Sequence, residues 1–144
     1  MKAKLNSILL IDDDEGTNFI NKRVIQKANI AEEVVTTYNG SEALDYLCNQ
    51  GQFENPGKLF PQPMLILLDI NMPIMDGWEF LDAYHKLHES QKSKIIIVML
   101  TTSFNPDDSK RAGQYTDISG FKNKPLTIDT LNDIIQTHFP ELLD

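Results

Sequence analysis

The sequence predicts an α/β fold in which a doubly wound sheet of five parallel strands carries helices on both faces. Three short runs are apolar without alternation, which is typical of strands that are buried on both faces. Amphipathic segments with helical spacing separate these runs, so strands and helices alternate along the chain. Because crossovers between parallel strands are almost always right-handed, this alternation favours an open parallel sheet.

The apolar runs and two weaker segments predict the five strands. The strong runs are residues 8–11, 64–68 and 95–100. The weaker candidates are residues 34–38, which end at the turn pair Asn39-Gly40, and residues 120–123, which precede Lys124-Pro125. A long irregular stretch, residues 49–63, separates the second helix from the third strand. It is either an interaction loop or a solvated surface loop.

Five segments between and after the strands predict the helices. Ser41 can cap the second helix and Thr127 the fifth, while Pro106 suits the first position of the fourth. Most of the segments carry an apolar stripe of the kind that faces a core. The stripes are Phe19, Ile20, Val24 and Ile25 in the first helix; Ala43, Leu44 and Leu47 in the second; Trp78, Leu81, Tyr84 and Leu87 in the third; and Ile128, Leu131, Ile134 and Ile135 in the fifth.

Composition excludes several classes of protein. A length of 144 residues fits one domain with a sizeable core. The formal net charge of −8 argues against direct binding of DNA or RNA. The only cysteine, Cys48, cannot form an internal disulfide, and the first apolar run is far too short for a signal peptide or a membrane span. We therefore expect a cytoplasmic protein that does not enter a membrane.

Polar residues stand at the predicted carboxyl ends of four strands. Because these ends share one edge of a parallel sheet, the side chains should converge there. They are Asp12 and Asp13 after the first strand, Asp69 after the third, Thr101 after the fourth and Lys124 after the fifth. Three close carboxylates repel one another unless positive charge compensates. Mg²⁺ prefers such oxygen ligands, and together with the Lys124 ammonium it brings the formal charge of the cluster to zero.

A neutralised acidic cluster of this kind suits phosphoryl transfer, in which the protein mostly positions groups and stabilises charge. One of the aspartates can act as the nucleophile, although the residues alone do not say which. The acyl phosphate that results carries additional negative charge. The hydroxyl of Thr101 and the ammonium of Lys124 can meet that charge.

The same residues resemble the receiver domains of bacterial two-component response regulators over nearly the whole chain. Residues 8–13 resemble the first strand and acidic pair of that family, and residues 69–77, DINMPIMDG, resemble its phosphoacceptor loop. Thr101 and Lys124-Pro125 follow in the family's order. The resemblance implies the flavodoxin-like strand order 2-1-3-4-5, a stand-alone regulator, and a single receiver domain at residues 1–144 with a core of about residues 6–138.

The resemblance also implies a role for each site residue. Asp69 would accept a phosphoryl group from the phosphohistidine of a sensor histidine kinase or phosphotransfer protein. Thr101 and Lys124 would bind phosphoryl oxygens, while Thr101 and Phe121 would switch the surface of the fourth helix, fifth strand and fifth helix. The ligands of Mg²⁺ would be Asp12, mainly through water, Asp13, Asp69 and the backbone carbonyl of Asn71.

The resemblance further implies a signalling protein and not an enzyme, apart from its own phosphoryl transfer and slow dephosphorylation. The switched surface would bind an unidentified downstream protein, with a homodimer through that surface as a further possibility. The family also favours a cis bond at Lys124-Pro125 above the low base rate for such bonds.

Rival functions differ in the residues they require. A haloacid-dehalogenase-like phosphohydrolase would use Asp12 as its nucleophile, but only Asp129 and Asp133, on a predicted helix, could supply its later acidic pair. A flavodoxin-like electron carrier would need a phosphate cradle where this chain is acidic. A scaffold unable to accept phosphate is disfavoured because every group that the chemistry needs is present. His85 and His88 lack a third nitrogen or thiolate ligand for a metal.

Overall fold

The computed structural model describes residues 3–48, 50, 62–87, 95–102 and 105–143. Strands and helices alternate through these ranges, and the strands form one parallel sheet in the order β2-β1-β3-β4-β5. The predicted fold class and strand order are therefore confirmed. The elements are β1 (Leu5–Ile11), α1 (Glu15–Ala28), β2 (Ala31–Thr37), α2 (Gly40–Cys48), β3 (Leu65–Asp69), α3 (Gly77–His85), β4 (Ile96–Thr101), α4 (Pro106–Ala112), β5 (Ile118–Asn123) and α5 (Ile128–His138), followed by a 3₁₀ turn at Pro140–Leu142.

The three central strands β1, β3 and β4 are buried on both faces, as their unbroken apolar sequences predict. Alternate residues along these strands fall into two separate clusters, because successive side chains of a strand point to opposite faces. One cluster contains Leu9, Ile66 and Met99 and packs against α2, α3 and α4. The other contains Leu10, Leu67 and Val98 and packs against α1 and α5. The helices thus cover both faces of the sheet.

The strands end where the polar residues begin. Asp69 and Thr101 are the last residues of β3 and β4, and Asp12 follows β1 directly. The two edge strands are longer than predicted, because β2 begins at Ala31 and β5 at Ile118. The added residues are partly exposed, which explains why they lack the continuous apolar pattern of the central strands.

The predicted apolar stripe of α1 is wrong in its first half. Phe19 and Ile20 are 63% and 57% exposed, and the buried residues are instead Asn18, Asn21 and Ile25. The Asn18 side-chain amide donates to the carbonyl oxygens of Asp12 and Thr37, at 2.9 and 3.2 Å. The first turns of α1 therefore face polar backbone at the strand ends. Buried backbone carbonyls need donors, so asparagines turn inward here and the apolar pair turns outward.

The capping predictions are confirmed at two helices and wrong at a third. Asn105 caps α4 with Pro106 in its first turn, and Thr127 caps α5. Helix α2, however, begins at Gly40 and not after Ser41. The Oδ1 atom of Asn39 accepts from the backbone N–H of Glu42 at 2.8 Å, which makes Asn39 the capping residue.

Two remaining sequence features fall partly outside the described ranges. In the stretch 49–63, residues 49 and 51–61 lie outside them, and so does His88. Within the described part of the chain, none of the helices combines the length and the hydropathy that crossing a bilayer requires.

Candidate functional site

Three carboxylates meet at the carboxyl edge of the sheet. Asp12 and Asp13 stand in the loop after β1, and Asp69 ends the neighbouring strand β3. One carboxylate oxygen of each lies within 4.8 Å of those of the other two. Asp12 is buried, Asp69 is partly buried and Asp13 is exposed, so the cluster opens to solvent on the side of Asp13.

Lys124 reaches the same cluster from the end of β5. Its ammonium donates to Oδ2 of Asp12 at 2.6 Å and to Oδ1 of Asp69 at 3.1 Å. The backbone N–H of Lys124 donates to the carbonyl oxygen of Thr101 at 2.6 Å, which ties this turn to the end of β4. The Lys124-Pro125 bond is cis. The lysine thus connects the end of β5 to the carboxyl ends of three other strands, β1, β3 and β4.

The loop after β1 holds Asp12 in one orientation. Oδ1 of Asp12 accepts from the backbone N–H of Asp14 at 3.0 Å, while Oδ2 accepts from Lys124. Asp14 itself caps α1, accepting from Gly16 N–H and from the Thr17 hydroxyl. These hydrogen bonds lower the pKa of Asp14, and the one from the Thr17 hydroxyl contributes most. Asp14 is therefore a helix cap and lies outside the acidic cluster.

The charges in the site shift the pKa values of Asp69 and Lys124. Burial raises the pKa of Asp69, and the neighbouring Asp12 charge raises it further, although Lys124 opposes both. Burial lowers the pKa of Lys124, but its hydrogen bond to Asp12 and the Asp69 charge outweigh this and raise it overall. The lysine therefore stays charged at neutral pH, while the carboxylates still exceed the positive charge available to them.

The loop between β3 and α3 packs tightly behind Asp69. Gly77 begins α3, and its N–H donates to the Ile70 carbonyl at 2.8 Å. A Cβ at Gly77 would lie 2.6 Å from the carbonyl oxygen of Asp69, so only glycine fits there. The side chain of Asn71 in this loop is exposed. Ile74 is 81% exposed and has a left-handed backbone, with φ 67°.

The two residues predicted to act as a switch lie on β4 and β5. Thr101 is buried at the end of β4, where it is in register with Asn123. Phe121 pairs with Met99 and is partly buried against the cluster under α2, α3 and α4. Both side chains therefore stand on the two strands that adjoin the site on its Lys124 side.

The donor set of the acidic cluster fits a hard divalent cation. Carboxylate oxygens are the ligands that Mg²⁺ prefers, and Mg²⁺ keeps several waters when it binds. The exposed side of the cluster at Asp13 leaves room for such waters. Asp12, Asp13 and Asp69 could therefore hold one metal ion between them.

Sequence reasoning missed two buried polar residues beside this cluster, Asn18 and Thr37. Asn18 lies under the loop of Asp12, and Thr37 ends the adjoining strand β2. Their sequence signal is faint. The inward-facing positions Asn18, Asn21 and Ile25 are spaced by three and four residues, as a helix requires, but two of them are polar.

The sequence model of the family "Response regulator receiver domain" matches residues 8–136 of this chain. This chain belongs to the response regulator receiver domain family. Two curated relatives show how similar other members are. Response regulator Rcp1 of Synechocystis sp. is 39% identical over 101 residues, which are 70% of this chain and 65% of Rcp1. Two-component response regulator 24 of Arabidopsis thaliana is 34% identical over 135 residues, 93% of this chain and 84% of that protein.

Solved receiver structures have the same fold as this receiver domain. A two-component response regulator from Cytophaga hutchinsonii has a TM-score of 0.80 at 31% identity, covering 95% of this chain and 98% of that chain. The Mn²⁺-bound form of response regulator Rcp1 has a TM-score of 0.70 at 30% identity, covering 92% and 90%. Because the relatives include a plant protein, membership of the family does not imply a bacterial source.

Receiver domains are signalling phosphoacceptors that take a phosphoryl group from histidine kinases or phosphotransfer proteins. This chain is accordingly a phosphoacceptor response regulator. The comparisons give no support to the alternative of a phosphohydrolase with Asp12 as its nucleophile. Membership of the receiver family also disfavours a flavodoxin-like electron carrier, which would need a phosphate-binding loop at this acidic edge.

Proposed function

We propose that Asp69 is the phosphoacceptor of this receiver domain. The observation that carries the proposal is the contrast between the hydrogen bonds of Asp12 and those of Asp69, which ends β3 directly before the loop that resembles the family's phosphoacceptor loop. Both oxygens of the buried Asp12 already accept hydrogen bonds, from Asp14 N–H and from Lys124. Asp69 is only partly buried and contacts Lys124 through one oxygen. Asp69 can therefore meet an incoming phosphorus atom, whereas Asp12 is held as a fixed charge beside it.

We propose Mg²⁺ as the cofactor, with Asp13, Asp69 and the backbone carbonyl of Asn71 as direct ligands and Asp12 acting mainly through water. The oxygen-only donor set and the excess negative charge of the cluster support this assignment. When bound, the ion neutralises charge on the transferring phosphoryl oxygens. The Lys124 ammonium donates to both Asp12 and Asp69 and so holds these two carboxylates close together.

In the transfer step an oxygen of Asp69 attacks the phosphorus of a phosphohistidine. The phosphorus–nitrogen bond breaks, and the histidine nitrogen of the donor keeps the electron pair. The aspartyl group changes from one negative charge to about two, so the product requires more positive charge and hydrogen bonding than the free carboxylate. The ammonium of Lys124, now 3.1 Å from Asp69, and the hydroxyl of Thr101 supply these.

We propose that the new contact of Thr101 changes the surface formed by α4, β5 and α5. Thr101 and Phe121 stand on the adjacent strands β4 and β5, and the backbone of Thr101 is bonded to Lys124. A shift of Thr101 toward the phosphoryl group therefore alters the space available to Phe121. The altered surface would bind a downstream protein or a second copy of the chain.

We propose that the phosphodonor docks on the exposed patch of α1 made by Phe19, Ile20 and Arg23. Two large apolar side chains in one exposed patch are typical of a protein interface. Ile20 also lines a groove of about 300 Å³ together with Lys124 and Pro125. A protein seated on this patch would thus lie beside Lys124, whose ammonium contacts Asp69.

Three coarser features complete the proposal. Residues 6–138 form the core of one receiver domain, because β1 begins at Leu5 and α5 ends at His138. The lone Cys48 offers no disulfide framework, which favours a cytoplasmic location. The only reactions catalysed are the domain's own phosphorylation and a slow dephosphorylation.

The phosphoacceptor is tested by intact mass after incubation with Mg²⁺ and acetyl phosphate. We expect one added phosphoryl group in the natural protein, a slower addition of the same group in Asp12→Asn, and none in Asp69→Asn. Far-ultraviolet circular dichroism checks that each variant is folded. A label that survives in Asp69→Asn and disappears in Asp12→Asn would return the phosphohydrolase alternative to favour.

The docking patch is tested by comparing two phosphodonors. Ile20→Ala and Phe19→Ala should leave labelling by acetyl phosphate unchanged and slow transfer from a phosphorylated histidine phosphotransfer protein about tenfold or more. Asp82→Ala, at an exposed position of α3 on the other face of the sheet, is the control. Equal loss with both donors would show that the substitutions damage the site itself and would refute the docking role.

A further inference from the structure

Two buried polar side chains lie under the acidic loop, and the function proposed above assigns them no role. Asn18 on α1 is 1% exposed, and Thr37 at the end of β2 is fully buried. Burial of a side-chain amide is costly unless the amide is hydrogen-bonded. The contacts of Asn18 indicate what those bonds do.

The side-chain nitrogen of Asn18 joins three segments of the chain. It donates to the carbonyl oxygen of Asp12 at 2.9 Å and to that of Thr37 at 3.2 Å. The Thr37 carbonyl also accepts from the backbone N–H of Asp12 at 3.1 Å, and the Thr37 hydroxyl donates to the Leu10 carbonyl at 2.9 Å. The peptide unit before Asp12 is thus hydrogen-bonded to β2, and the peptide unit after it to α1.

The two carbonyl groups that face Asn18 define the orientation of its side-chain amide. Two carbonyl oxygens face the Asn18 side chain, and only the NH₂ end of an amide can donate to both. Its Oδ1 atom is buried and has no hydrogen-bond partner among the described residues. The two hydrogen bonds that its NH₂ group donates offset this cost, and an apolar side chain of similar volume would take the side-chain donor away from the Asp12 carbonyl. The asparagine at position 18 therefore ties α1 to the loop after β1.

We propose that Asn18 is a positioning residue for Asp12 and Asp13. By fixing the carbonyl of Asp12, it sets the direction in which the chain leaves β1, and with it the place of both carboxylates opposite Asp69. This inference rests on the metal site proposed above. Groups that orient metal ligands without touching the metal commonly contribute a factor of ten or more to metal affinity.

The test measures binding of Mg²⁺ alone by calorimetry and of Mn²⁺ alone by electron paramagnetic resonance. Asn18→Leu keeps the approximate volume of the side chain and removes its hydrogen-bond donor. It should lower the affinity for both ions about tenfold or more. Asn18→Ala gives the same comparison if the leucine variant does not fold. Labelling by acetyl phosphate should need correspondingly more Mg²⁺, while its rate at saturating Mg²⁺ stays close to that of the natural protein.

The matched control is Ile25→Ala, two turns farther along the same helix and also buried. It should lower thermal stability yet leave both ion affinities unchanged. Ion affinities within twofold of the natural protein in the Asn18 variants would overturn the positioning role, as would equal weakening in Ile25→Ala. Failure of the natural protein to bind either ion would overturn the metal site itself, and the inference with it.

Discussion

Ile74 adopts a backbone conformation that a β-branched side chain disfavours. Its φ of 67° lies in the left-handed region, and the side chain is largely exposed, so packing does not repay the strain. Glycine has no Cβ to clash there but loses more freedom on folding. We expect Ile74→Gly to raise the free energy of unfolding by roughly 0.5–1 kcal/mol, measured by urea denaturation.

Ile74→Ala is the matched control, because alanine removes the exposed apolar surface but keeps the Cβ. It should gain little. An equal gain in both variants would assign the effect to the exposed side chain and not to the backbone.

Tyr46 is buried under the sheet on α2 and couples stability to alkaline pH. Burial, helped by the charge of Glu33, raises its pKa from 10.0 to about 12. Between these values the unfolded chain loses the phenol proton while the folded chain keeps it. The stabilising contribution is therefore complete below pH 10 and is lost as the pH rises toward about 12.

We expect the melting temperature of the natural protein to fall more steeply across this alkaline range than that of Tyr46→Phe. The difference between the two curves should be flat below pH 10. Parallel curves throughout would contradict the raised pKa of Tyr46.

Among the elements, the central strands could be predicted from the sequence and the orientation of α1 could not. Unbroken apolar runs at β1, β3 and β4 leave little choice, because both faces of these strands are covered. For α1, the hydrophobic pattern selects Phe19 and Ile20 as inward residues. The inward face is decided instead by the carbonyl groups of Asp12, just after β1, and of Thr37, at the end of β2, which no pattern within the helix can reveal.

The prediction that Ser41 caps α2 is wrong for a related reason, a tertiary contact outside the helix. Ser41 is a good capping residue by type, but Gly40 must approach Met75, whose carbonyl accepts from Gly40 N–H at 3.0 Å. A Cβ at Gly40 would lie 2.7 Å from Cγ of Met75. This tertiary contact places the helix start at Gly40, and the cap moves back to Asn39.

Helix α4 is short, and Ala112 is its one buried residue among those described. Besides the burial of Ala112, a cation–π contact holds α4: the guanidinium carbon of Arg111 lies 4.5 Å from the ring centroid of Trp78 on α3. Tyr115 packs against the same ring, with centroids 5.5 Å apart. Because α4 belongs to the proposed output surface, this contact helps to hold that surface in place.

We expect Arg111→Met, which keeps the apolar stem but removes the charge, to lower the free energy of unfolding by about 0.5–1 kcal/mol. The fluorescence of Trp78, the only tryptophan of the chain, should change with it. Lys110→Met at the neighbouring position should change neither. An unaltered emission spectrum in Arg111→Met would refute the contact.

For the whole molecule, the acidic cluster links ion binding to folding. A ligand that binds only the folded state at about 100 times its Kd adds about 2.7 kcal/mol to the free energy of unfolding. We expect Mg²⁺ to stabilise the natural protein on this scale in urea titrations and to stabilise Asp13→Asn little. Exposed Asp82 offers the matched control Asp82→Asn, which should respond fully. Equal responses in all three would indicate a general salt effect.

Urea titration without divalent ions measures how much the charge of Asp69 lowers the free energy of unfolding. Because burial and Asp12 raise the pKa of Asp69, the unfolded chain carries this negative charge at lower cost than the folded chain does at neutral pH. Asp69→Asn should therefore be more stable than the natural protein in the absence of metal, and gain little when Mg²⁺ is added. A less stable Asp69→Asn would contradict this sign.

The candidate site could be predicted as a set of residues because topology alone brings strand ends together. Asp12, Asp69 and Lys124 needed only the parallel sheet to be expected in one place. The hydrogen bonds that orient them depend on side-chain packing. Asn18, whose amide lies beneath the acidic loop, gives only a faint sequence signal, because its helical spacing to Asn21 and Ile25 is the sole sign that it faces inward.

Lys124 contacts a residue that precedes it by 112 positions. During synthesis, Asp12 leaves the ribosome long before the lysine does, so a growing chain holds its acidic pair without the cation that completes the pocket. If Asp69 is the acceptor, as proposed, an unfinished polypeptide lacks the ammonium that stands beside it. Competence to accept a phosphoryl group would then arise late in translation, when nearly all of the sheet is available to fold.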